Sequence, residues 1–129
     1  MPLYIALGGA LGSLSRYWLG GIIQRAYPGS FPAGTLVINV TGSLLIGFLL
    51  RYSLDSAAVS TEVRAFLTIG FCGGYTTFST FSWEAIRLIE DGDWRRASLY
   101  VTASVLLSLL ATVLGIVLAR QVLLFRHGS

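Results

Sequence analysis

The sequence predicts an all-α membrane protein of four transmembrane helices, with a break in the third. Three observations carry that prediction. The chain of 129 residues is 54% hydrophobic and only 12% charged, about half the charged share usual in soluble domains. Its mean hydropathy is +0.73. Its charges punctuate long apolar runs instead of mixing with them. Such a composition excludes an ordinary soluble enzyme and a disordered chain. All nine basic residues are arginine, and no nucleic-acid partner is expected, because a nucleic-acid binder gathers such charges on one face. With Cys72 and His127 the only residues of their kinds, a disulfide framework and a Cys/His metal site within one chain are excluded too.

A helix needs about 20 mostly apolar residues to cross a hydrocarbon core of about 30 Å. Four segments qualify: 3–23, interrupted by Arg16; 31–50, free of charge; 65–83; and 97–119, again free of charge. The first is read as a mature helix, not a signal peptide, since no basic residue precedes Leu3 and no small-residue cleavage site follows it. Tyr27-Pro28-Gly29-Ser30 forms a turn, with Pro32 in the first turn of the second helix, and Asp91-Gly92-Asp93 forms another. The stretch 52–62 is a polar loop. The whole chain, 1–129, reads as a single four-helix domain.

Orientation is undecided by charge. One side of the membrane receives Arg51, Arg64, Arg120 and Arg126, and the other Arg25, Arg87, Arg95 and Arg96. An even tally predicts no strong preference for either insertion direction; dual topology and a bias hidden by small numbers both stand on this rule. Four helices hardly enclose an aqueous path alone, so a homo-oligomer is expected. Two chains inserted in opposite senses would supply the inverted repeat that many transporters carry in one chain.

Polar residues within the spans point to activity, because each is costly in lipid unless it faces protein or water. Asn39 sits near mid-depth of the second span on a face of small residues with Thr35, Gly42 and Ser43. In the fourth span Tyr100, Ser104 and Ser108 form an i, i+4, i+8 stripe of hydroxyls, with Thr112 drifting off it. Single hydroxyls more often serve helix packing, but three on one stripe beside an intramembrane Asn favour a polar path.

Gly8 with Gly12, and Gly70 with Gly74, are GxxxG pairs that permit close helix approach. Packing alone does not account for the run from Gly70 to Ser82. There adjacent glycines precede β-branched Thr76 and Thr77, a combination of poor helix propensity at mid-span. A discontinuous third helix is therefore expected, with an ion satisfying the freed backbone groups. Phe78 and Phe81, three residues apart, share a face of the half-helix that follows. Aromatic ring edges are positive, and with neutral donors at matching depth the constellation suits a small anion. Arg16 either concentrates anions in a vestibule, snorkels or pairs with a carboxylate. Glu84 either lines the same mouth or pairs with Arg87.

These residues resemble the Fluc (CrcB) family of fluoride channels across nearly the whole chain. The resemblance rests on the run Gly70 to Ser82, above all Gly73-Gly74-Tyr75-Thr76-Thr77-Phe78-Ser79-Thr80-Phe81, with Gly34 to Gly42 and Gly8 to Tyr17 in support. It implies an antiparallel, dual-topology homodimer in the cell (inner) membrane, crossing the bilayer several times, with two fluoride pores and a structural sodium ion at the dimer interface. Position by position, it implies that Gly73 and Thr76 offer backbone carbonyls to sodium. It further implies that Asn39 donates to fluoride, that Phe78 and Phe81 present ring edges, and that Tyr100, Ser104 and Ser108 extend the polar track. Arg16 and Glu84 then belong to the vestibule. The function implied is passive fluoride export that relieves toxicity, in an ion channel and not an enzyme.

The competing class is a small four-helix, dual-topology, proton-coupled exporter, which needs a protonatable carboxylate deep in the membrane; the first span has none. A structural scaffold would tolerate changes at Asn39, Phe78 and Phe81. Catalysis is disfavoured by the lack of an internal His, Asp or Cys pairing that could activate a nucleophile.

Overall fold

The computed structural model describes residues 1–127, and every element among them is helical. Helix α1 spans Pro2–Ala26, α2 Ala33–Asp55, α3 Thr61–Ala65, α4 Gly73–Tyr75, α5 Phe78–Glu90 and α6 Trp94–His127. A π-helical segment, Phe66–Cys72, joins α3 to α4.

The expected segments fall on these elements with shifts that local chemistry explains. Helix α2 starts at Ala33 and not at Phe31, because Pro32 occupies the N-cap with non-helical dihedrals. It runs past Leu50 through what was expected to be loop, helped by an Arg51–Asp55 pair one turn apart at 3.8 Å. The polar stretch then ends at Ser60, whose side chain accepts from the Val63 amide at 3.2 Å and caps α3. Asp93 does the same for α6, its Oδ1 accepting from the Arg96 amide at 3.1 Å. Both predicted turns are present: Gly29 and Gly92 adopt positive φ, at 131° and 79°.

Helices α2 and α6 pack along one another, while α1 lies against the π segment and α4. The latter contact is made of glycine. A Cβ on Gly8 would stand 2.3 Å from the Phe66 carbonyl oxygen, and one on Gly12 2.2 Å from that of Phe71. The backbones thus approach too closely for any side chain, as GxxxG spacing allows. Gly70 and Gly74 face α1 in the same way, with Gly74 set against the Gly9 carbonyl. π-Helical turns are rare and occur frequently at functional sites; no local pattern in residues 66–72 announces this one.

Within the run from Gly70 to Ser82, where a discontinuity is expected, the adjacent glycines Gly73 and Gly74 are helical. The extended residues are the threonines that follow: Thr76 has φ −87°, ψ 158° and Thr77 φ −151°, ψ 119°. Helix resumes at Phe78, where the Thr77 hydroxyl accepts from the Thr80 amide at 3.2 Å.

The polarity of the fold is that of a membrane protein. Helices α2 and α6 are long and apolar enough to cross a bilayer. α6, at 34 residues, extends about 50 Å at the helical rise, so it overshoots a hydrocarbon core of about 30 Å. Leu109, Leu110, Val113 and Phe125 on α6, with Leu7, Leu11 and Trp18 on α1, are exposed. The buried interior, by contrast, is small and includes Ser53, Thr68 and Ser104. A largely apolar exterior around a small, mostly apolar interior with a few buried hydroxyls is expected where lipid or a second copy covers the outside.

Candidate functional site

The threonine interruption lies between two cavities. The first, of about 330 Å³, is lined by Asn39, Ser43, Thr76, Thr77, Phe78, Phe81, Ser104 and Ser108. The second, of about 220 Å³, is lined by Arg16, Gln24, Thr35, Thr77, Thr80 and Glu84. Thr77 belongs to both walls, and no carboxylate, arginine or histidine lines the first.

Asn39 projects from α2 onto the interruption and uses both ends of its carboxamide there. Its Nδ2 donates to the Thr77 carbonyl at 3.0 Å, and its Oδ1 accepts from the Thr77 amide at 2.9 Å. Nδ2 keeps a second N–H beyond the one given to Thr77. Ser43, one turn along, donates to the Asn39 carbonyl at 2.7 Å, which faces this stretch of α2 toward the cavity.

Phe78 and Phe81 pack on each other with ring centroids 5.5 Å apart and planes tilted by 46°. Phe78 is 79% exposed, a large cost for a phenylalanine that nothing else covers. Phe81 leans on Tyr100 at 5.2 Å, and Phe31 meets the other side of Tyr100 edge-on at 5.7 Å.

The hydroxyl stripe expected on α6 divides in two. Ser104 and Ser108 line the first cavity, and the Ser104 hydroxyl is buried without a hydrogen-bond partner among the described residues. Tyr100 departs from them: it is fully buried and its hydroxyl donates to Glu84 Oε1 at 3.3 Å. Thr112 turns away from the stripe, reaching the Ser43 carbonyl at 3.3 Å and that of Ser108 at 3.0 Å.

Arg16 pairs with no carboxylate among the described residues. Its Nε donates to the Gly74 carbonyl at 3.1 Å, tying α1 to the end of α4. Glu84 has not paired with Arg87, which instead faces Glu90 at 3.9 Å. The backbone at the interruption is thereby largely accounted for. The Cys72 carbonyl receives the Thr76 amide and hydroxyl at 3.0 and 2.8 Å, the Gly74 carbonyl receives Arg16, and Thr77 is held by Asn39. Among the described residues no donor from outside the helix reaches the Gly73 or Thr76 carbonyl. Gly73 is exposed. Two such carbonyls fit a cation that prefers oxygen ligands, though one chain offers too few of them to enclose it.

Sequence reasoning passed over Thr77, Thr80, Gln24 and Phe31. Thr80 carried a readable signal, a hydroxyl directly before Phe81 at a helix start. Gln24 carried a weaker one, the sole amide in the first span's last turn.

An all-helical membrane protein with a neutral, donor-lined cavity at a helix interruption is the class these features define. The family model described as CrcB-like protein, Camphor Resistance (CrcB), matches residues 3–116, and the chain belongs to that family. Relatives named fluoride-specific ion channel FluC are similar over most of its length. The one from Geotalea uraniireducens is 51% identical over 118 residues, 92% of this chain and 95% of the relative. That from Geobacter metallireducens is 51% identical over 117 residues, 91% and 94%, and that from Rhizobium meliloti 50% over 119 residues, 92% and 94%.

Proposed function

We propose that this chain is a fluoride channel, not an enzyme, and that it lets fluoride leave the cell passively. The observation that carries the reading is the first cavity, where the Asn39 amide, the Ser104 and Ser108 hydroxyls and two phenylalanine rings converge beside the interruption. Fluoride is small and strongly hydrated, so a filter has to replace its water while leaving exit possible. Neutral N–H and O–H donors and positive ring edges meet both demands; a fixed arginine at the same point would hold the ion too firmly. Arg16 and Glu84 stand instead in the second cavity, at the vestibule, with Tyr100 between Glu84 and Phe81. A negative-inside potential drives an anion outward by about 2.3 kcal/mol per charge at 100 mV, so no coupling carboxylate is required.

The working unit in this proposal is an antiparallel, dual-topology homodimer in the cell membrane, each chain a single four-helix domain. Support comes from the even arginine tally, from exposed Phe78, and from the exposed Gly73 with its unclaimed carbonyl. A sodium ion between the Gly73 and Thr76 carbonyls of two copies would be coordinated by oxygens that no donor from outside the helix reaches, and would hold the interruptions together.

Passive efflux from proteoliposomes loaded with potassium fluoride, followed with a fluoride electrode after valinomycin, tests the function against a matched chloride control. Fast fluoride loss with little chloride loss is the expected result. No loss from verified, folded dimers would overturn the channel reading and turn attention to proton-coupled export.

A further inference from the structure

Helix α2 carries Asn39 to the interruption, yet its own start lacks a side-chain cap: Pro32 holds the N-cap and can supply none. The first-turn amides of a helix need partners. Here the partner comes from another helix. The Gly34 amide donates to Gln24 Oε1 at 3.0 Å, while Gln24 Nε2 donates to the Phe31 carbonyl at 3.0 Å and the Tyr27 carbonyl at 3.4 Å. One side chain at the end of α1 therefore satisfies the start of α2 and both ends of the turn between them.

The reach is made possible by a close crossing one turn earlier. A Cβ on Gly34 would stand 2.5 Å from the Gly20 carbonyl oxygen, so α1 and α2 touch backbone to backbone there, and Gln24 follows Gly20 by one turn on the same face. Two cavities, the vestibule of about 220 Å³ and an outer one of about 310 Å³, share Gln24 and Glu84 in their walls. The Phe31 whose carbonyl Gln24 holds is the residue that braces Tyr100, which in turn supports Phe81.

We propose that Gln24 is a positioning residue of the permeation route: by capping α2 from α1 and pinning Phe31, it sets the height of Thr35 and Asn39 against Glu84 and Thr77. Gln24 does not line the donor cavity, and it acts through those residues. The inference rests on the channel reading above.

The test separates rate from quantity. Full-length protein is reconstituted at less than one dimer per vesicle on average, so that the fraction of fluoride released counts active vesicles and the time course reads the rate per channel. Q24M keeps the length and removes both hydrogen-bonding functions. Its rate per channel should fall severalfold, because an uncapped α2 start no longer fixes Thr35 and Asn39 against Glu84 and Thr77. P32S, which gives α2 a cap of its own, should recover most of that rate in the Q24M background. Should Q24M not assemble, Q24N, which retains the amide but lacks the reach, carries the same comparison. An unchanged rate per channel, with or without fewer active vesicles, would overturn the positioning role, and so would failure of P32S to restore the rate. A wild-type chain that releases no fluoride would overturn the channel reading, and this inference with it.

Discussion

Asn39 grips Thr77 twice, donating to its carbonyl at 3.0 Å and accepting from its amide at 2.9 Å. In an unbroken helix those two groups would be satisfied by residues four before and four after. One carboxamide from α2 takes over both tasks, which is how a half-buried extended residue is tolerated between two helical segments. The same Nδ2 retains a second N–H, the one that the proposed channel would offer to fluoride.

Asn39→Asp disturbs both roles in a calculable direction. The carboxylate still accepts from the Thr77 amide, but it sets an oxygen against the Thr77 carbonyl and a negative charge in the path of an anion. Like charges at short range in a poorly screened cavity repel strongly. Fluoride efflux should fall more than about a hundredfold, to the leak of protein-free liposomes, while size-exclusion chromatography still reports a dimer. Fast efflux from the assembled variant would remove Asn39 from the pathway.

Phe81→Ile removes a ring that contacts both Phe78 and Tyr100. Each aromatic pair contributes about 1 kcal/mol beyond burial, so the variant should lose a modest amount of thermal stability. Its flux should drop far more, by about tenfold or greater, because the positive ring edge has no aliphatic substitute. Equal, modest losses in both would mean that the ring serves packing alone.

Ser104→Ala separates conduction from stability more sharply. The Ser104 hydroxyl is buried and has no partner among the described residues. An unsatisfied buried group costs about 1–3 kcal/mol, so its removal should leave the melting temperature unchanged or raise it. Flux should fall about tenfold if that hydroxyl takes over from water around fluoride. A variant that is both destabilised and fully conducting would reverse the assignment.

Sodium should act on the assembly and not on the isolated chain. A cation that binds only the folded dimer stabilises it by about 1.4 kcal/mol for each tenfold rise above its dissociation constant. The melting temperature should therefore climb with sodium chloride and stay flat in choline chloride at equal ionic strength. Equal curves would argue against an ion at the Gly73 and Thr76 carbonyls.

The long apolar helices α2 and α6 were legible because hydropathy acts over twenty residues at a time, and the Gly8 and Gly12 contact was legible because close backbone approach has few other solutions. Finer features depended on pairings between distant segments. That the interruption falls at Thr76 and Thr77, with Gly73 and Gly74 helical, follows from Asn39 holding Thr77 and from α1 fixing the glycines, neither of which local propensity contains. Tyr100 reads as one of a stripe at fourfold spacing, but α5 sits against it and claims its hydroxyl through Glu84. The tie of Arg16 to the Gly74 carbonyl depends on α1 lying against α4, which the residues around Arg16 do not reveal. Gln24 had no motif around it, since a cap supplied from another helix leaves no local pattern.

Gly73→Ala bears most directly on the second copy. Gly73 is helical, at φ −63° and ψ −39°, and a Cβ there would meet only the Thr68 carbonyl oxygen, at 4.0 Å. Within one chain alanine fits, and it improves helix propensity by about 1 kcal/mol. Gly12→Ala is the opposite case: its Cβ would fall 2.2 Å from the Phe71 oxygen, so it should weaken the fold of each chain by about 1–3 kcal/mol or more. If Gly73 faces a partner across a shared ion, its alanine variant should keep full helicity by circular dichroism yet lose cross-linking to dimer and lose fluoride flux. A Gly73→Ala protein that still cross-links and conducts would place the ion and the interface elsewhere on the chain.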